Sequence, residues 1–153
     1  MSHPENVHPP SSMVLLSRLA KQVYRRSNEQ LIGMHLRHLM ALSYVRDHES
    51  APQQDLAEAF CMDANNIVLL LNELEELGYA VRRRDPDDRR RHLVDMTAKG
   101  RRALAKAERA QESIEDDVLR GLDPGERAIL HQLLLRALRD AEPVELETKV
   151  TFG

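Results

Sequence analysis

The chain has 153 residues, with 22 Lys and Arg against 25 Asp and Glu, one Cys, no Trp and 3% aromatic residues; that is enough for one ordinary domain and too little for two. Phe60, Phe152, Tyr24, Tyr44 and Tyr79 are too few and too scattered to form the stacking platform of a single-strand or RNA-binding sheet. The lone Cys61 excludes a disulfide framework and a cysteine-rich zinc site, and a net charge of −3 lacks the basic balance by which a DNA-binding domain usually shows itself.

Residues 1–11, with Pro4, Pro9 and Pro10, are expected to form a flexible arm. They carry no basic region followed by an apolar run, so no secretory signal is expected. No apolar stretch approaches ~18 residues, so no transmembrane helix is expected either, and the single thiol suits a reducing cytoplasm. Leu15, Leu16, Leu19, Ala20 and Val23 fall at helical spacing and predict a helix over 12–29; Leu36, Leu39, Met40 and Val45 predict a second. Pro52 suits the first turn of a short helix whose inner face is Leu56, Ala57 and Phe60. After a turn at Cys61 and Met62, Asp63 is placed to cap a helix running to Leu77, with Gly78 supplying the left-handed position that ends it.

Helical periodicity fails from Ala80 to Met96. Two short strand-like segments, 80–83 and 92–96, flank Asp85, Pro86, Asp87 and Asp88, which predicts a hairpin with a long polar tip. Thr97 is the expected cap of a long helix carrying Leu104, Ile114 and Val118 and stopped by Gly121. Asp123, Pro124 and Glu126 form the clearest start signal in the chain, ahead of Ile129, Leu130, Leu133, Leu134 and Leu138. Residues 141–153 read as a tail. The expected fold class is therefore mainly α with a small β-hairpin wing, as a winged helix-turn-helix in a single domain over 12–140.

At about 100° per residue, Ile67, Leu70, Leu71, Leu74 and Leu77 share one face of the helix from Asp63, while Asn65, Val68, Leu69 and Asn72 lie nearly opposite. That outer stripe carries no charge, unlike the later Glu73, Glu75 and Glu76. In a major groove Asn can pair with adenine and aliphatic groups can meet thymine methyls; burial of Val68 and Leu69 against the rest of the protein is the competing explanation. From Arg82 to His92 six Arg and three Asp give +3 inside a chain of −3, so the remainder carries −6. A basic tip of this kind can enter a narrow minor groove and bind phosphates, with Asp88 placed to hold the Arg90 guanidinium. The candidate DNA contacts are Gln53, Asn65, Asn66, Val68, Leu69, Asn72, Arg83, Arg84, Asp88, Arg89, Arg90 and Arg91. The apolar residues of the first and last helices have no element of their own domain to cover them all, which predicts a homodimer with recognition helices about one DNA turn, ~34 Å, apart.

Leu56 and Ala57, the run from Leu74 to Val81, the run from Arg83 to Arg90, and Leu93 to Gly100 together resemble the MarR family of bacterial transcriptional regulators; the Asp-Pro-x-Asp-Arg-Arg wing is specific. The resemblance spans roughly residues 12–140. It implies an obligate homodimer with dimerisation helices at about 12–29 and 97–140 and a DNA-binding lobe at about 35–96, on a pseudo-palindromic double-stranded operator. It also implies repression relieved by a small, often phenolic or lipophilic molecule, by thiol oxidation or by a metal. Polar and soft residues near the junction of the two regions, Tyr24, Met34, His35, His38 and Tyr44, are the implied effector pocket. The chain departs from the family pattern at Val68 and Leu69, usually polar or basic, which shifts weight to the wing and shape readout, and at Pro52, usually Ser or Thr. Cys61 is a redox candidate. His35 and His38, one turn apart, lack the matching carboxylate or thiol motif of a metal site, and no metal or other cofactor is expected. No nucleotide-binding Gly-rich loop or catalytic motif speaks for an enzyme. The rival readings are a winged-helix interaction module without DNA binding and a metal- or redox-responsive regulator.

Overall fold

The structure, a computed structural model, describes residues 8–140. Most of the arm expected over 1–11 and the tail expected over 141–153 lie outside the described residues. The element order is α1 (Ser12–Arg26), α2 (Glu29–Ile32), α3 (Leu36–His48), β1 (Ala51–Pro52), α4 (Gln53–Ala59), α5 (Ala64–Glu76), β2 (Ala80–Arg84), β3 (His92–Met96), α6 (Ala98–Val118) and α7 (Pro124–Asp140). Among the described residues the strands form one antiparallel sheet in the order β1-β3-β2, and the core is drawn from α2, α3, α4, α5, the sheet and the inner face of α6, while α1 and the described side chains of α7 add no buried residue to it.

The helix starts follow local chemistry. Ser11 and Asn28 accept from the backbone N–H groups of Val14 and Leu31, and Asp63 Oδ1 accepts from Asn66 N at 2.7 Å. At α7 the capping box closes on both sides: Glu126 N donates to Asp123 Oδ1 at 2.9 Å, and Asp123 N donates to Glu126 Oε1 at 3.0 Å. These bonds satisfy N–H groups that have no partner inside the helix.

Four expectations are corrected. The first helix does not run to Glu29: it ends at Arg26, and Asn28 starts the separate turn α2, closed by Gly33 at φ 85°. Pro52 is not in the first helical turn. It is the cap residue before Gln53 and belongs to β1, pairing with Leu93, while Ala51 pairs with Val94. Helix α6 stops at Val118, not at Gly121: Leu119 leaves the helical range at φ −105° and ψ 19°, and its carbonyl accepts from Leu122 N at 2.9 Å in a tighter turn. Leu77 is not in the core: as the cap residue of α5 it turns off the stripe and is 40% exposed, whereas Ile67, Leu70, Leu71 and Leu74 are buried.

The Thr97 to Gly100 segment joins the wing to α6 through close backbone contact. Thr97 N donates to Tyr79 O at 3.0 Å, its hydroxyl donates to Gly78 O at 2.6 Å, and the same oxygen accepts from Gly100 N at 3.0 Å. A Cβ on Gly100 would lie 2.1 Å from Tyr79 O, so only glycine fits there.

Candidate nucleic-acid interface

Helix α5 presents the uncharged stripe outward. Val68 is 37% and Leu69 58% exposed, with Asn65 and Asn72 exposed beside them; intramolecular burial therefore does not account for this stripe in the single chain. Asn66 is exposed too, but its Nδ2 donates to Asp63 Oδ2 at 3.2 Å, so the side chain folds back on the helix start. Gln53, at the start of α4, is half-buried, and its Oε1 is buried without a partner among the described residues.

Side-chain alternation along β2 separates neighbouring arginines. Arg82 points to α5, where its Nε bonds Glu75 Oε1 and its Nη2 bonds Asn72 Oδ1. Arg83 points to the opposite face and donates to Asp95 Oδ2 at 2.5 Å and to Ser50 Oγ at 3.3 Å. Burial pushes the Asp95 carboxyl up, but the bonds from Ser50 and Arg83 and the Arg83 charge outweigh it and hold the group below the usual carboxylate range. Arg83, a candidate DNA contact by sequence, is thus committed to a bond between β2, β3 and the turn before β1.

The tip beyond β2 is ordered by its own backbone. Asp85 N donates to Arg91 O at 3.0 Å and Arg91 N to Asp88 O at 2.9 Å, and Arg84 Nη1 reaches Arg89 O at 2.9 Å. Asp88 does not hold the Arg90 guanidinium as expected: its Oδ1 accepts from the Arg90 backbone N–H at 3.1 Å, an Asx turn that shapes the tip. Among the described residues none of Arg84, Arg89, Arg90 and Arg91 has a carboxylate within 4.0 Å. Four cationic groups of the hairpin are therefore left without an ion-pair partner among the described residues, on an element that the Arg82–Asn72 bond ties to α5.

Of the residues expected around an effector, the structure brings together Met34, His35 and His38. They line a cleft of about 390 Å³ with Glu29, Arg37, Glu73, Leu77 and Tyr79. His38 is 3% exposed and its Nε2 lies 2.6 Å from Glu73 Oε2, while Arg37 Nη2 donates to both oxygens of the same carboxylate at 3.0 and 2.9 Å. The His38 bond, opposed by burial and reinforced by Arg37, holds the Glu73 carboxyl below its ordinary range. Tyr24 is exposed on α1 and Tyr44 stacks on His48 at 3.8 Å; neither lines this cleft. His35 and His38 meet edge to face at 5.2 Å, and no group of three or more metal-ligating side chains occurs among the described residues. Cys61 is exposed in the turn before α5, at φ 51°.

Sequence reasoning missed Glu73 and Arg82. Each is one charge among many in the sequence, and only the packing of α3 and β2 against α5 makes them hubs.

A second cleft, also about 390 Å³, lies between α1, α6 and α7, lined by Leu16, Leu19, Ile114, Val118, Leu130 and Leu134. Around it Met13, Leu15, Ile129, Leu133 and Leu138 are exposed. No described helix is long and apolar enough to cross a membrane.

The sequence model of the MarR family matches residues 32–91, from the end of α2 to the wing tip. A protein of Thauera aromatica named as a regulator of the hcr operon is 38% identical over 98 residues, 64% of this chain. The chain spans under two thirds of the first relatives it matches: 59% of that protein, and 64% of the regulator YdgJ of Bacillus subtilis. An uncharacterized helix-turn-helix regulator of Bacillus cereus is 30% identical over 86% of this chain and 89% of its own length. Among solved structures, a MarR-family regulator from Rhodococcus sp. RHA1 superposes with a TM-score of 0.73 at 28% identity, over 81% of this chain and 89% of that one. CouR from Rhodococcus jostii RHA1, bound to p-coumaroyl-CoA, does so with 0.68 at 27%, over 84% and 92%. A mutant MarR of E. coli complexed with operator DNA shares the fold, with 0.68 at 21% identity over 82% and 92%. With its winged helix-turn-helix, the family match over 32–91 and a relative aligned over nearly its whole length, the chain belongs to the MarR family of transcriptional regulators.

Proposed function

We propose that the chain acts as a homodimeric repressor that reads a pseudo-palindromic operator with α5 and the hairpin and is released by a small organic effector. The observation that carries the reading is the juxtaposition of an exposed, uncharged helix face with a hairpin tip of four arginines that lack an ion-pair partner among the described residues. Asn65, Val68, Leu69 and Asn72 supply groove contact, and Arg84, Arg89, Arg90 and Arg91 meet phosphates or the minor groove. The operator complex of a MarR protein on the same fold supports the docking mode. The acidic remainder of the chain repels DNA and restricts contact to this projection.

The apolar cleft between α1, α6 and α7 is the surface on which a second copy interlocks. The effector is proposed to enter the cleft at Met34, His35 and His38, which borders both α3 and the last turns of α5. The p-coumaroyl-CoA complex of CouR supports an organic ligand over a metal ion.

A titration of the chain against promoter duplexes at several salt concentrations tests this. Phosphate binding requires log K to fall linearly with log salt, and Arg90→Ala is expected to reduce that slope by about one for each protomer's lost contact. Salt-independent binding, or an Arg90→Ala protein with an unchanged slope, would refute the interface. The rival, an interaction module without DNA binding, predicts no retained duplex at any salt.

A further inference from the structure

On the outer stripe of α5, Asn72 differs from Asn65 in one respect: its side-chain oxygen is already occupied. The bond from Arg82 Nη2 goes to Asn72 Oδ1. The orientation of the amide follows from chemistry, because a guanidinium has only donors and the atom facing it must be the carbonyl oxygen. Arg82 is itself held from the other side by Glu75 Oε1 at 2.5 Å, with its side chain 22% exposed, so the group is anchored to the sheet and to α5 together. The bond is charge-assisted, which makes it stronger than an ordinary amide contact.

The consequence concerns base choice. An unencumbered Asn reads adenine through two bonds, accepting from N6 with its oxygen and donating to N7 with its amide. Arg82 engages one of the two lone pairs of Oδ1 and turns that oxygen toward β2, so what Asn72 offers an outside partner most freely is the pair of N–H groups of Nδ2, which have no partner among the described residues. Guanine alone presents two acceptors, N7 and O6, on its major-groove edge, while cytosine presents a donor.

Resting on the operator-binding reading above, we propose that Arg82 is a specificity-determining residue: by occupying the Asn72 oxygen it makes the base facing Asn72 in each half-site guanine rather than adenine. Arg82 acts through Asn72 and does not itself contact the base.

Selection of bound sequences from a pool of randomised duplexes by the full chain tests this, with four proteins compared at one salt concentration. The wild type is expected to enrich guanine at one position per half-site, and Asn72→Ala to lose preference at that position alone. Arg82→Met frees the oxygen and is expected to shift the position toward adenine by about fivefold or more. Asn72→Asp keeps the Arg82 pair but exchanges outward donors for an acceptor, and is expected to shift it toward cytosine. If Arg82→Met does not fold by circular dichroism, Asn72→Asp decides. Guanine retained at that position in whichever of the two variants decides overturns the proposal, as does a profile unaltered at every position by Asn72→Ala. A wild type that enriches no sequence overturns the operator reading itself, and is thereby told apart from a selective wild type whose motif ignores Asn72.

Discussion

Gly100→Ala sets two physical effects against each other, and the structure decides the sign. Helix propensity alone favours alanine in α6 by up to about 1 kcal/mol. Yet the new methyl would stand 2.1 Å from Tyr79 O, 2.9 Å from Tyr79 C and 3.0 Å from Met96 Cγ. Two of these atoms are backbone, so relief means moving α6 away from the start of the wing by roughly 1 Å. Overpacking of this kind costs about 1–3 kcal/mol. The movement also lengthens the bond from Thr97 N to Tyr79 O, now 3.0 Å, for about 1 kcal/mol more. The net expectation is a loss of about 2 kcal/mol, which urea unfolding would read as a midpoint lower by about 1 M. Protein concentration must be held fixed, because the stability of a dimer depends on it. Gly121→Ala is the control: nothing lies within 4 Å of its Cβ position, so its midpoint should match or slightly exceed the wild type. A Gly100→Ala protein as stable as the wild type would refute the close-approach argument.

Other consequences follow from the same geometry. Arg83→Ala should lower stability through loss of its bonds to Asp95 and Ser50 while leaving the salt slope of DNA binding near the wild-type value; a slope reduced as much as in Arg90→Ala would contradict that assignment. Leu133→Glu places a charge on the exposed apolar face of α7 and should convert the proposed dimer to monomer in analytical ultracentrifugation, whereas an unchanged sedimentation coefficient would remove α7 from the interface. Glu73 titrates below its ordinary range in the folded chain, so its bonds to Arg37 and His38 stabilise the fold above about pH 4.3 and that contribution fades as pH falls through the folded value. Glu73→Ala should therefore melt below the wild type at pH 7, with the gap narrowing below about pH 4; a gap independent of pH would refute the linkage.

What could be read from the residues alone was what depends on near neighbours in the chain. The capping pairs at Asp63, Thr97 and Asp123 act over three residues, and the split between the Ile67 and Val68 faces follows from helical period. Long-range pairing was hidden. Strand β1 is two residues long and exists only because β3, more than forty residues later, pairs with it. The break at Ser27 and Asn28 was legible in principle, since Asn followed by Glu is a start signal, but the apolar period carried across it. Within the interface, residue types were legible and their availability was not. Asn72, Asn66 and Arg83 have the right chemistry for DNA, yet each spends part of its hydrogen-bonding capacity on Arg82, Asp63 or Asp95.

A hairpin that projects from its body exposes unpaired strand edges, and two such hairpins on neighbouring molecules could zip together. In this sheet β1 and β2 are the outer strands. The first is only two residues long and one of them, Pro52, has no N–H to donate. The second ends in Arg84, whose guanidinium has no ion pair among the described residues, so a second copy brought alongside would meet its own charge there. Arg84, which equips the wing for phosphate, thus also helps keep one wing from adding to another, and replacing it with a neutral strand-forming residue would favour self-association at that edge before any loss of fold.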